Sequence, residues 1–161
     1  MKLNLLELLR PNHIRLHLQA ADGFDAVRLL TEPLVESGHA EPAFAEDVWA
    51  REETFPTGLP TQPHAVAIPH ADPDHVHQSA VCFGTLTAPV SFAQMGTDGS
   101  TTLAVQVIIL LAIKEREKQA ELIQQVVKLI QDGDLLTELL KAEDVDQAYQ
   151  LIQSALRDRP A

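Results

Sequence analysis

The chain has 161 residues, 45% of them hydrophobic and 4% aromatic, with a formal charge of −11. That length fits one domain with a core of Leu, Ile, Val and Ala, and the acidity argues against nucleic acid or an anionic membrane surface as partner, since both call for a basic footprint. The single cysteine, Cys82, excludes an internal disulfide and suits a reducing compartment.

Met1–Arg10 carries Leu at positions 3, 5, 6, 8 and 9 and reads as a short helix ended before Pro11. No uninterrupted apolar run follows Met1, so a secretory signal is not expected. His13–Ala20 alternates Ile14, Leu16 and Leu18 with Arg15, His17 and Gln19, the period-2 pattern of a half-buried strand. Asp22 or Asp25 can cap a helix that places Val27, Leu30, Leu34 and Val35 on one face and stops at Gly38. A further helix runs from Pro42 through Trp49 to about Glu53. Thr54–Pro63 holds three prolines and a glycine and reads as a loop.

Ala65–Ile68 is a buried strand that stops at Pro69, and the polar stretch Ala71–Gln78 follows as a turn. Ser79–Leu86 and Leu103–Ile113 are further strands, the second apolar on both faces and therefore central. Between them, Pro89–Thr102 is expected to hold a short edge element and the loop 96–100. The run Leu103–Ile113 is broken at Gln106 and falls short of the roughly 20 residues that span a bilayer. Helices then cover Glu115–Gln131, Leu135–Leu140 and Val145–Leu156. Strands interleaved with helices predict an α/β layered fold: a single domain over 1–161, core about 13–157, with a mixed β-sheet flanked by helices. A soluble cytoplasmic protein is expected.

The chemistry concentrates between Arg51 and His77, where four of the seven histidines fall within fourteen positions. One reading is a nucleophilic histidine at His70. Neutral imidazole attacks phosphorus well near pH 7, and such a site needs an Arg fork and backbone or hydroxyl donors, which Arg51, Thr57 and the Gly58 N–H can supply. A second reading is a metal site built from His70, His75, His77, Asp72 and Asp74, although the spacing matches no familiar zinc signature. The third reading is structural. His75 and His77 then belong to a solvated loop, Cys82 to the core, Arg51 to a helix end, and His64 to a polar loop.

The run Arg51-Glu52-Glu53-Thr54-Phe55-Pro56-Thr57-Gly58-Leu59, followed by His64-Ala65-Val66-Ala67-Ile68-Pro69-His70, resembles the fructose/mannitol superfamily of phosphotransferase-system A components (EIIA type 2). The Phe-Pro-Thr-Gly loop and a histidine six positions before the last one look most like galactitol-type A components. The resemblance implies a cytoplasmic phosphocarrier, a transferase that needs no cofactor and no metal. It would accept phosphate from the phosphohistidine of the carrier protein HPr and pass it to a cysteine of the cognate EIIB component, with the membrane component EIIC involved only indirectly. The family's active histidine falls on His70, reacting through Nε2, and its active-site arginine on Arg51. Mannitol-type members carry a second histidine after the long central strand, where this chain reads Lys114-Glu115-Arg116-Glu117-Lys118-Gln119. His64 is the candidate to fill that role, if the Gln62–Pro63 turn folds it back towards His70. Two other readings stay open: a nitrogen-type regulatory A component that signals by phosphorylation-dependent protein binding, and a His-rich metal-binding protein.

Overall fold

The computed structural model describes residues 4–158. Helix α1 (Leu5–Leu8) is capped by Asn4, whose side chain accepts from the Leu6 N–H. Strand β1 (Leu9–Leu18) follows without a break, so the expected helix ends earlier and Pro11 lies inside a strand. An edge strand has one hydrogen-bonded neighbour, so a proline facing away from it costs no ladder bond. Residues 1–3 of the expected helix lie outside the described residues.

Helix α2 (Gly23–Glu36) starts with reciprocal capping: the Asp22 carboxylate accepts from the Asp25 N–H, and that of Asp25 accepts from the Ala21 N–H. Helix α3 (Phe44–Thr54) comes next, then the two-residue strand β2 (Gly58–Leu59) and strand β3 (Ala65–Ala67). After a one-turn 3₁₀ helix at Pro73–His75 come the long strands β4 (Ala80–Ala93) and β5 (Thr102–Ala112). Helices α4 (Gln119–Ile130), α5 (Gly133–Lys141) and α6 (Val145–Asp158) complete the chain.

The five strands lie in the order β1-β4-β5-β3-β2, which puts β5 in the middle, as its residues apolar on both faces predict. The sheet is mixed: β1/β4 and β3/β5 are parallel, β4/β5 and β2/β3 antiparallel. The segment expected as a separate edge element is instead the second half of β4. Its pairing with β5 jumps from Thr85↔Val107 to Val90↔Val105, and Pro89 sits in that interruption, where no ladder bond is lost.

Alternate residues of β5 serve two cores. Val107, Ile109 and Leu111 face α4, α5 and α6, while Ile108, Leu110 and Ala112 face α2 and α3. On the second face α2 packs very closely over β4: a Cβ at Gly84 would stand 2.6 Å from Leu30 Cδ2. Cys82 is fully buried in that core, and burial pushes its thiol pKa up.

One polar cluster interrupts this packing. His13 of β1 and His39 beyond α2 are 0% and 6% exposed, and both rings hydrogen-bond the Ser37 hydroxyl, at 2.9 and 2.7 Å. Ser37 Oγ also lies 2.9 Å from the Pro33 carbonyl, to which it donates its only hydrogen, so both imidazoles act as donors to Ser37. His13 Nδ1 and His39 Nε2 are then buried lone pairs without a partner. Burial first, and then the neighbouring His39, Arg10 and Arg15, lower the His13 pKa to about 4. An unfolded histidine binds a proton below about 6.5. Folding therefore expels that proton between pH 6.5 and 4, and stability falls as pH is lowered through this window. We expect the loss to approach 3 kcal/mol by pH 4, at about 1.4 kcal/mol per pKa unit, and we expect His13→Gln to remove it. Urea unfolding of both proteins at pH 7 and pH 4 checks this; parallel losses in the two would show that His13 has no part.

Candidate active site

The chain leaving β3 is held at three successive residues. Thr57 Oγ1 accepts from the Ile68 N–H at 3.0 Å, the Pro69 carbonyl accepts from the Leu111 N–H at 3.0 Å, and His70 continues the parallel register opposite Leu111. Pro69 restricts the backbone further through its ring. His70 therefore stands on rigid framework at the end of the sheet where β3 and β5 finish and β4 begins.

His70 is 7% exposed, and its Nδ1 lies 2.8 Å from the Ile68 carbonyl oxygen. A carbonyl can only accept, so Nδ1 carries the hydrogen and the neutral ring keeps its lone pair on Nε2. Among the described residues Nε2 makes no hydrogen bond, and unlike the bare nitrogens of His13 and His39 it is not sealed from solvent. The His70 pKa is lowered, chiefly by burial and further by the charge of Arg51. The Ile68 carbonyl and Asp72 oppose the shift. The ring is accordingly neutral at pH 7.

Arg51 lies in the last turn of α3. Its guanidinium carbon sits 5.0 Å from the centroid of Phe55, a ring that is 59% exposed, and its Nε is buried without a hydrogen-bond partner. One arginine donor is thus uncommitted, and the charge of Arg51 is felt at His70, whose pKa it helps to lower.

Thr57 is placed differently from expectation. The Thr57 N–H and O–H both donate to the buried Glu52 carboxylate, at 2.7 and 2.8 Å, so neither is free for a phosphoryl oxygen. Gly58 is required by a close approach of chains: a Cβ there would stand 2.6 Å from the Ala93 carbonyl oxygen, and the Gly58 carbonyl accepts from the Met95 N–H. Glu52, unassigned on sequence grounds, is the residue that sequence reasoning missed. Its only signal is its place inside the Arg-Glu pair.

His64 is not brought to His70. The two stand before and after β3, whose residues run parallel to β5 from Val105 towards Leu111, a strand path of roughly 20 Å. The His64 ring hydrogen-bonds Thr137 of α5 at 3.2 Å instead. The Gln62–Pro63 turn closes locally, with the Thr61 hydroxyl donating to the His64 carbonyl, and does not fold back over the far end of the sheet. The stretch that carries the second histidine in mannitol-type members does reach the site: Gln119 donates its amide to the Ala71 carbonyl at 2.7 Å, and Arg116 lies 3.9 Å from Asp72. His75 pairs with Asp47 and His77 with Glu41 on the surface, and no three His, Cys, Asp or Glu side chains gather to hold a metal among the described residues.

The chain belongs to the family described as phosphoenolpyruvate-dependent sugar phosphotransferase system, EIIA 2, whose model matches residues 7–155. It is similar to the galactitol-specific EIIA component of the PTS in Escherichia coli (strain K12), with 26% identity over 127 residues that cover 79% of this chain and 83% of the relative. Among solved structures it is similar to PTS IIA (PtxA) of Streptococcus mutans, at TM-score 0.79 and 29% identity, covering 98% of this chain and 97% of that one. It is also similar to mannitol IIA of Escherichia coli, at TM-score 0.73 and 25% identity, covering 89% and 98%. The mixed sheet flanked by helices is the mannitol-type EIIA fold, and the chain is a phosphotransferase component. No described helix is long and apolar enough to cross a membrane.

Because burial dominates the His70 shift and Arg51 adds to it, we expect His70 to titrate below 6.5. In Arg51→Ala the midpoint should rise while staying under that value. Proton-detected NMR titration of the His70 ring measures both. A midpoint above 6.5 in the wild type would contradict the burial seen here.

Proposed function

We propose that His70 is the phosphoryl carrier of a cytoplasmic sugar or alditol phosphotransferase system, accepting from the phosphohistidine of HPr and delivering to a cysteine of a cognate EIIB. The observation that carries the reading is the bond from Nδ1 to the Ile68 carbonyl, which leaves a neutral ring with its lone pair on Nε2. In the accepting step, the Nε2 lone pair forms a bond to phosphorus while the P–N bond to the donor imidazole breaks and that ring keeps the electron pair. The onward step reverses the roles: a cysteine thiolate attacks phosphorus and His70 leaves as neutral imidazole. Arg51 supplies charge-assisted hydrogen bonds to the equatorial oxygens in both steps through the terminal nitrogens of its guanidinium. The galactitol-specific relative and the Phe-Pro-Thr-Gly loop support an alditol route of that type, with EIIC taking part only through EIIB.

We expect His70→Ala to fold and to take up no phosphoryl group from phosphorylated HPr; uptake of acid-labile, base-stable phosphate by the variant would exclude His70. Arg51→Ala should slow transfer by about 2–4 kcal/mol of transition-state stabilisation, comparable to removing one oxyanion donor. Rapid-quench transfer assays with intact circular dichroism test this, and wild-type rates in the variant would remove Arg51 from the mechanism. Offering the phosphorylated protein to purified EIIB components, galactitol-type first, tests the acceptor.

A further inference from the structure

Glu52 and Thr57 are both buried, and neither side chain hydrogen-bonds the His70 ring among the described residues. Glu52 is 4% exposed, and among the described residues its two oxygens accept only from Thr57. Thr57 Oγ1 in turn accepts from the Ile68 N–H, and the carbonyl of that same residue holds His70 Nδ1–H. These contacts form one continuous series: carboxylate, hydroxyl, residue 68, imidazole.

The sheet shows why the series exists. Gly58 opposes Ala67 and Leu59 opposes Val66, so Thr57 falls opposite Ile68 at the next step of the antiparallel register. β2 stops short of that step. A regular strand there would offer backbone partners to both the N–H and the carbonyl of Ile68. Here the Thr57 side chain takes the N–H, and the carbonyl is left for His70. The direction of the Thr57 hydroxyl decides whether this works. Burial raises the Glu52 pKa, and the two hydrogen bonds from Thr57 oppose that shift by favouring the ionised form; the ionised carboxylate can only accept, so it draws the hydroxyl hydrogen to itself and turns an oxygen lone pair towards Ile68. Were Glu52 a donor at this point, the hydroxyl hydrogen would no longer be drawn away from Ile68, and the lone pair facing the Ile68 N–H would no longer be fixed in place.

We infer that Glu52 and Thr57 are positioning residues that set the tautomer of His70: by fixing residue 68 they keep its carbonyl on Nδ1–H and so hold the reactive lone pair on Nε2. The inference deepens the proposed phosphocarrier reading and rests on it for its catalytic consequence, but the tautomer itself is measurable without any phosphoryl donor.

The test uses the full chain and four proteins: wild type, Thr57→Ser, Thr57→Val and Glu52→Gln. Nitrogen NMR of the His70 ring reports the tautomer at pH 7.5, and transfer from phosphorylated HPr reports kcat and KM separately. Thr57→Ser should match wild type in both. Thr57→Val, which leaves the Ile68 N–H without its acceptor, should move a measurable fraction of His70 to the Nε2–H form. It should lower kcat at least ten-fold, with KM for the donor within two-fold. Glu52→Gln should shift the tautomer in the same direction, because its amide can donate to Thr57 Oγ1. If Thr57→Val does not fold, Glu52→Gln carries the test with the same two readouts. A folded variant that keeps His70 fully in the Nδ1–H form with unchanged kcat overturns the inference. If instead the wild type takes no phosphoryl group on His70, the phosphocarrier reading fails, and the tautomer measurement still decides the positioning role.

Discussion

The hydrogen bond from His70 Nδ1 to the Ile68 carbonyl is the contact on which the site depends. A free imidazole interconverts between tautomers and presents either nitrogen. Here a carbonyl that can only accept removes that choice and leaves Nε2 as the one nitrogen with an available lone pair. Burial acts in the same direction by disfavouring the imidazolium, which has no lone pair to offer. Which nitrogen keeps the lone pair, and the protonation state of the ring, therefore follow from two features of the backbone around residue 70: where the Ile68 carbonyl points, and how deeply the chain is set into the sheet end.

The rest of the fold keeps that carbonyl in place. β3 is only three residues long and would be a weak platform alone, but it lies against β5, the central strand, which is buried on both faces. Leu111 of β5 reaches past the end of β3 to hold the Pro69 carbonyl, and Gln119 at the start of α4 holds the carbonyl of Ala71. His70 is thus bracketed by anchored peptide groups on either side. Arg51 arrives from a different layer, on the last turn of α3, with its guanidinium against the exposed ring of Phe55.

Much of this was legible in the sequence where the cause is local. The apolar run Leu103–Ile113, broken only at Gln106, marked the central strand, Asp22 or Asp25 marked a helix start, and Ile-Pro-His marked a strand ending at a histidine. What remained hidden depends on partners distant in the chain or on details of register. His64 sits six positions from His70 in the sequence, and an intervening extended strand carries it to the other end of the sheet. Thr57 has the composition of a phosphate donor, but Glu52, turned inward from the end of α3, takes both of its hydrogens. Pro89–Thr102 reads as holding a separate short edge element, whereas a register jump lets β4 continue through Pro89. The paired histidines His13 and His39 are 26 positions apart, and no sequence pattern announces that they share a serine.

The central claim is that one nitrogen of one histidine is made available by its own backbone. The most direct measurement is nitrogen–phosphorus coupling in the isotopically labelled protein after incubation with phosphorylated HPr. The account predicts a single phosphohistidine, at His70, with coupling to Nε2 and the Nδ1 hydrogen retained. Phosphate on Nδ1 of His70, or on any of the other six histidines, would contradict it.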